Sequence, residues 1–154
     1  MPPQLIREAA ALLEKDADAD IATLCHPLQS REDWLNPNFV KVVLDRLGYA
    51  LYFSRAPIPW RREGTSRESQ LPAGLAFRHL GLYAYRVGAL TKFSALPPSP
   101  LENCEALEQL RALEHGFRIR VGITDTQPPR GVDTEEDLVA VSALLAGRPP
   151  AKHP

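Results

Sequence analysis

The sequence predicts one α/β domain, and its length, composition and element pattern each support that fold class. The chain has 154 residues, the length of one ordinary domain. Apolar residues make up 44% and charged residues 24% of it, the balance of a globular protein. Short apolar runs alternate with segments of helical periodicity, as in α/β proteins. We expect the domain to cover residues 1–147 and the proline-rich residues 148–154 to form a disordered tail.

Three helices are predicted from their caps and apolar faces. The first begins at the prolines that follow Met1 and places Leu5, Ala9 and Leu12 on one face. The second opens with SPLE at residues 99–102, a capping box with proline in the first turn, and should run to about residue 115. The third opens with TEED at residues 134–137 and should end at residue 146.

Five runs have the length and the β-branched or aromatic content of strands. In the fourth, alternation places His79, Gly81 and Tyr83 on one face and leucines on the other. A polar stretch over residues 61–74 predicts a mobile loop. The predicted strands are residues 21–25, 39–44, 49–55, 77–86 and 117–124.

Charge and cysteine content exclude several classes of function. Eighteen Lys and Arg oppose nineteen Asp and Glu, so the net charge of −1 gives no basic field for nucleic acid. No apolar run approaches the ~18 residues of a membrane span, and the first residues are not a signal peptide. Cys25 and Cys104 are too few for a disulfide scaffold. We therefore expect a soluble, cytoplasmic domain with no nucleic acid partner and no membrane insertion.

Generic motifs give no complete active site. The nine glycines form neither a dinucleotide-binding GxGxxG motif nor a P-loop. The four histidines and two cysteines lack the spacing of zinc ligands. No serine lies in a Gly-x-Ser-x-Gly elbow.

Five longer motifs, taken together and in this order, are specific for one protein family. The motifs are NPNFVKVV at 36–43, YFSRAPIPW at 52–60, RHLGLYAYR at 78–86, SPLE at 99–102 continued by LEQLR at 107–111, and GVDT at 131–134. With these motifs the sequence resembles the 3-deoxy-manno-octulosonate (Kdo) cytidylyltransferases over nearly all of residues 3–145.

This resemblance implies a fold and a reaction. The fold is a mixed sheet flanked by helices, of the nucleotide-diphospho-sugar transferase type, and the protein is expected to be a homodimer. The reaction transfers CMP from CTP to the anomeric hydroxyl of Kdo, with Mg²⁺ as cofactor and pyrophosphate as the second product, for lipopolysaccharide biosynthesis.

The resemblance also implies roles for particular residues. Arg55 would hold the Kdo carboxylate, since a guanidinium pairs well with that group. His79 and Tyr83 would hold opposite ends of the sugar, because four strand residues span ~13 Å. Taken alone, Arg55 also fits a surface arginine at a strand end, and the other two fit core side chains.

Two further sites follow from the same resemblance. Glu108 and Gln109 would contact sugar hydroxyls, although on sequence alone they form a solvated face in the middle of the second helix. Asp133 would be a Mg²⁺ ligand, although an aspartate there also complements a helix dipole. Lys41 has no assigned role, and Glu102 and Glu105 are interpreted as cap and surface residues.

The chain departs from the family pattern at its beginning. The family's N-terminal nucleotide-binding motifs are absent, and Glu135 stands where a proline is common. One hypothesis is that translation begins upstream and the whole enzyme is made. The alternatives are a catalytically inactive truncated remnant that binds sugar or dimerises, and a cytidylyltransferase for another 2-keto acid sugar.

Overall fold

The computed structural model describes residues 1–62, 71–72, 74–126, 138–139 and 142–143, and it confirms the predicted α/β class. A five-stranded mixed sheet is flanked by helices. In chain order the elements are α1 (Pro3–Lys15), β1 (Ile21–Pro27), α2 (Arg31–Leu35), β2 (Lys41–Leu44), β3 (Ala50–Ser54), β4 (Phe77–Tyr85), α3 (Val87–Ser94), α4 (Pro100–Glu105), α5 (Gln109–Glu114) and β5 (Ile119–Ile123).

The strands lie in the order β3-β2-β4-β1-β5. β1 runs parallel to β5, and the other neighbouring pairs are antiparallel. The first five residues of β1 are fully buried because β1 has a strand on either side and is covered on both faces. β4 pairs with β1 along its length and with β2 at its start, so it joins the two halves of the sheet.

Each face of the sheet has its own apolar core. On one face, Leu5 and Ala9 of α1 pack against Leu24 and Leu80. On the other, Leu110 of α5 packs in a larger cluster. Other members of that cluster are Ile21, Cys25, Val42, Phe53, Phe77, Ile119 and Val121. The residues predicted to bind sugar belong to this second side of the sheet.

The predicted second helix is interrupted. The prediction of one helix over residues 99–115 is wrong, because α4 ends at Glu105 and α5 begins at Gln109. Ala106 adopts the left-handed conformation with φ 52° and ψ 51°, which ends α4. Glycine usually occupies such a position, so nothing in the local sequence predicts the break. The capping box of Ser99 and Glu102 is present as predicted.

Two short helices were not predicted. α2 is capped by Ser30, whose hydroxyl accepts a hydrogen bond from the Asp33 amide at 3.0 Å, and it buries Trp34 completely. α3 follows β4 directly. The predicted helix at residues 134–146 is described only at 138–139 and 142–143, which are helical, and the predicted tail at 148–154 lies outside the described residues. No helix in the described part of the chain has the length and apolar character needed to span a bilayer.

Candidate functional site

Arg55 follows β3 directly, and its side chain binds the end of α4. Nε donates to the carbonyl oxygen of Glu105 at 2.8 Å, and Nη2 donates to that of Ala106 at 3.5 Å. Nη1 donates to the carbonyl oxygen of Pro37 at 3.2 Å. These bonds use three of the five N–H groups of the guanidinium. The remaining two are on the terminal nitrogens, where a carboxylate could accept them.

Glu105 is the counterpart of Arg55, and interpreting it as a surface residue was wrong. Its carboxylate accepts a hydrogen bond from the Ser54 hydroxyl at 2.6 Å and one from the Arg55 amide at 2.8 Å. The Tyr52 hydroxyl lies 3.5 Å from the same carboxylate. The last turn of α4 is thereby tied to the end of β3. The partners are about fifty residues apart in the chain, so no local pattern could have indicated them.

His79 is a buried, neutral side chain of β4. Its Nε2 lies 2.9 Å from the Thr23 hydroxyl, which itself donates to the Leu82 carbonyl at 2.7 Å. The hydroxyl proton is committed to Leu82, so His79 must donate from Nε2–H, and its Nδ1 is an acceptor. Burial lowers the pKa of His79 to about 3, which keeps the ring uncharged at neutral pH. It can therefore accept a hydrogen bond from a hydroxyl group but cannot serve as a cation for a carboxylate.

The rings of His79 and Tyr83 are in contact, with centroids 5.3 Å apart. The expectation that they hold opposite ends of a long sugar is therefore wrong in its geometry, because the two rings lean together as tilted aromatic pairs do. They belong to a continuous row of rings along one face of the sheet. The row is Phe53, His79, Tyr83, Tyr85, Phe93 and Phe117, with successive centroids 4.8 to 6.3 Å apart.

Glu108 and Gln109 lie at the start of α5, not in the middle of a helix as predicted. Glu108 is exposed and Gln109 is buried. Burial raises the pKa of Tyr83, and the charge of Glu108 adds to that rise. Burial also raises the pKa of Tyr85, and the charge of Glu108 adds to that rise. Glu108 therefore lies near the tyrosines of the aromatic row, and Leu107, at the α4–α5 break, belongs to the apolar cluster against which Tyr83 and Tyr85 pack.

The structure thus brings five of the six predicted site residues to one region. Arg55 binds Ala106 at the α4–α5 break, Glu108 and Gln109 follow it, and the aromatic row reaches Tyr83 and His79. The sixth, Asp133, lies outside the described residues. Within the described ranges, no three His, Cys, Asp or Glu side chains are grouped as metal ligands. The region combines a guanidinium, neutral hydrogen-bonding groups and aromatic rings, which suits an anionic, polyhydroxylated ligand.

Comparison with known proteins identifies the family. The family profile described as Cytidylyltransferase matches residues 1–119 of the chain. This chain belongs to the cytidylyltransferase family. The match includes the sequence around each of the five described site residues.

The relatives of this cytidylyltransferase chain are similar along most of its length. It is 54% identical over 148 residues to the 3-deoxy-manno-octulosonate cytidylyltransferase of Nitrosococcus oceani, covering 94% of this chain and 57% of that protein. It is 53% identical over 154 residues to the protein of the same name from Alkalilimnicola ehrlichii. That similarity covers 98% of this chain and 60% of that protein. The resemblance inferred from the five motifs is confirmed.

A solved structure shares the fold. It is that of CMP:2-keto-3-deoxy-manno-octonic acid synthetase complexed with CTP, with a TM-score of 0.80 and 37% identity. The similarity covers 96% of this cytidylyltransferase chain and 57% of that one. The chain therefore spans about three fifths of the length of the relatives it matches.

Proposed function

We propose that this chain provides the sugar-binding part of a cytidylyltransferase that joins CMP to Kdo. In that reaction the anomeric oxygen of Kdo forms a bond to the α-phosphorus of CTP, and pyrophosphate leaves. The observation that carries the proposal is the 54% identity to a Kdo cytidylyltransferase over a segment that includes the α4–α5 break and the aromatic row. The product would serve lipopolysaccharide biosynthesis.

Each described site residue has a role that its geometry permits. The two N–H groups that remain on Arg55 would bind the Kdo carboxylate. The Nδ1 atom of neutral His79 would accept a hydrogen bond from a sugar hydroxyl, and Tyr83 would form the wall beside it. Glu108 and Gln109 would bind further hydroxyls, since a carboxylate accepts hydrogen bonds and an amide both donates and accepts them.

The cofactor and the assembly are also proposals. We propose that Asp133 contributes a carboxylate to a Mg²⁺ site, because a hard cation prefers such oxygens and Mg²⁺ often uses only one or two carboxylates. Bound Mg²⁺ would neutralise phosphate charge during phosphoryl transfer. CTP is the proposed second substrate, a homodimer the proposed assembly, and the cytoplasm the proposed location.

A second candidate function is sugar binding without transfer of CMP. The chain spans only 57% to 60% of the curated relatives it matches. A chain with the sugar site alone would bind Kdo without transferring CMP, as a remnant or a sugar-binding or dimerising module. A cytidylyltransferase for a related 2-keto acid sugar would instead use the same residues with a different ligand.

Measurements on the purified 154-residue chain distinguish these functions. We would measure calorimetric binding of Kdo and of sialic acid, and pyrophosphate release with CTP, Mg²⁺ and each sugar, after circular dichroism shows that the chain is folded. Kdo binding supports the sugar site under both hypotheses, and turnover by the 154-residue chain alone would contradict the binding module. A preference for sialic acid contradicts the assignment of Kdo. A folded chain that binds neither sugar contradicts the proposed sugar site.

A further inference from the structure

Lys41, which the proposed reaction does not use, is fully buried at the start of β2. Its ammonium donates to the carbonyl oxygens of Asn36 at 2.9 Å and Phe39 at 2.7 Å. A third hydrogen bond goes to the carbonyl oxygen of Arg55. A lysine has three N–H donors, so every one is used on backbone. Burying a charge is costly unless it is fully paired, and this residue is paired with carbonyl groups of two separate segments.

The Arg55 peptide is held from both sides by opposite charges. Glu105 accepts the hydrogen bond of the Arg55 amide at 2.8 Å, and Lys41 donates to the Arg55 carbonyl. Lys41 is on β2 and Glu105 ends α4, so the strand end of Arg55 is fixed between two elements. The backbone of Arg55 therefore has little freedom to rotate.

The same lysine also supports the guanidinium. Nη1 of Arg55 donates to the carbonyl of Pro37, which lies between the two loop residues, Asn36 and Phe39, that Lys41 binds. Nε of Arg55 donates to the carbonyl of Glu105. Two of the three anchoring points of the guanidinium thus belong to segments that contain Glu105 or are bound by Lys41.

We propose that Lys41, together with Glu105, is a positioning residue that fixes the Arg55 guanidinium for binding the carboxylate of an anionic sugar, an inference that rests on the proposed function. Lys41 does not touch the sugar. It acts through the Arg55 carbonyl and the 36–39 loop. A neutral side chain of similar size would fill the space but remove the donor that Lys41 gives to the carbonyl groups of Phe39 and Arg55, while the Asn36 carbonyl would keep the Phe39 amide at 3.1 Å.

The hydrogen bonds that Lys41 donates should depend on pH. Burial lowers the pKa of Lys41 to about 8; the charge of Glu105 opposes the decrease and that of Arg55 adds to it. Above that pH a neutral amine has two N–H groups for three carbonyls, so one hydrogen bond is lost. Arginine stays charged over this range. Kdo binding should therefore weaken as the pH rises through about 8.

The test compares Lys41→Met with Lys92→Met in the 154-residue chain. Lys92 is an exposed lysine of α3 and serves as the matched control. The readouts are the ¹³Cζ NMR signal of Arg55 and the calorimetric affinity for Kdo. Lys41→Met should shift the Arg55 signal and weaken Kdo binding about tenfold, the effect of losing one well-placed interaction. Lys92→Met should change neither.

A second measurement covers the case in which Lys41→Met does not fold. In the wild type, the Arg55 ¹³Cζ signal should change with the same midpoint near pH 8 as the ¹³Cε signal of Lys41. A lysine that only stabilises the fold would titrate without moving the Arg55 signal, and that result would overturn the proposal. If the Arg55 signal responds while the wild type binds no Kdo, the Lys41–Arg55 link is supported and the proposed function is contradicted.

Discussion

Arg55 donates two hydrogen bonds to Glu105, one from its backbone and one from its side chain. The Arg55 amide donates to the Glu105 carboxylate at 2.8 Å, and Arg55 Nε donates to the Glu105 carbonyl at 2.8 Å. The carboxylate also accepts the Ser54 hydroxyl. This pairing joins the end of β3 to the end of α4 and sets the position of the α4–α5 break relative to the sheet.

Replacing Glu105 should therefore destabilise the chain. Glu105→Gln removes the charge and leaves one acceptor oxygen where the carboxylate has two. We expect a decrease of about 1–3 kcal/mol in the free energy of unfolding, the cost of leaving a partly buried polar group without its partner. Urea unfolding followed by circular dichroism measures it. The matched control is Glu14→Gln on the exposed side of α1, where a change within about 0.5 kcal/mol is expected. Equal effects of the two substitutions would contradict the role of Glu105.

His79 should make stability sensitive to acid. Burial lowers its pKa in the folded chain to about 3 from an ordinary value of 6.5. As the pH falls, His79 is therefore protonated in the unfolded chain at a higher pH than in the folded chain. The free energy of unfolding should fall as the pH drops below 6.5, by up to about 1.4 kcal/mol per pH unit from this residue.

His79→Gln retains a donor for the Thr23 hydroxyl and removes the titration. The difference in unfolding free energy between the wild type and this variant should therefore shrink from pH 7 to pH 5 in urea titrations. A difference that stays constant over that range would show that His79 is not held neutral.

Glu102 should affect stability in a different pH range. It accepts two hydrogen bonds from Arg111, at 2.5 and 2.7 Å, and these hold its pKa below the ordinary value of 4.5. A carboxyl of this kind stabilises the fold above its unfolded pKa, and the contribution is lost as the pH falls through the folded pKa. The urea midpoint of Glu102→Gln should lie well below that of the wild type at pH 7 and approach it below pH 4.5. A gap that persists in acid would contradict the ion pair as its source.

Ala106 carries a backbone conformation that suits glycine. Its φ of 52° costs an L-residue about 1–2 kcal/mol, part of which glycine recovers. Ala106→Gly should raise the free energy of unfolding by about 0.5–1 kcal/mol. The same substitution at Ala10, in the exposed middle of α1, should lower it by about 1 kcal/mol. Chemical denaturation compares the two, and a decrease at both positions would mean that the left-handed turn is not populated.

Patterns of neighbouring residues predict most of the sheet. The β-branched and aromatic runs correspond to β1 to β5 within a few residues, because alternation and turn residues are local signals. The capping box at residues 99–102 likewise predicted the start of α4. The break at Ala106 was missed because alanine is the strongest helix former and gives no sign of a left-handed turn.

The candidate site was predictable as a set of residues but not as an arrangement. Family motifs supplied Arg55, His79, Tyr83, Glu108 and Gln109, and the fold brings them together. Lys41 was given no role and Glu105 was interpreted as a surface residue, because their hydrogen-bond partners come from separate segments of the chain. The contact between His79 and Tyr83 was not predicted, because the spacing of Cα atoms along a strand does not give the orientation of two aromatic rings.

Kdo binding by Arg55→Lys tests the proposed sugar site most directly. Lysine keeps the positive charge but has no planar pair of terminal nitrogens to meet a carboxylate. We predict that wild-type chain binds Kdo saturably, with NMR shift changes at Arg55, Tyr83 and Gln109, and that Arg55→Lys binds at least about tenfold more weakly while remaining folded. Equal affinity of the two chains, or shift changes confined to residues away from the α4–α5 break, would contradict the proposed site.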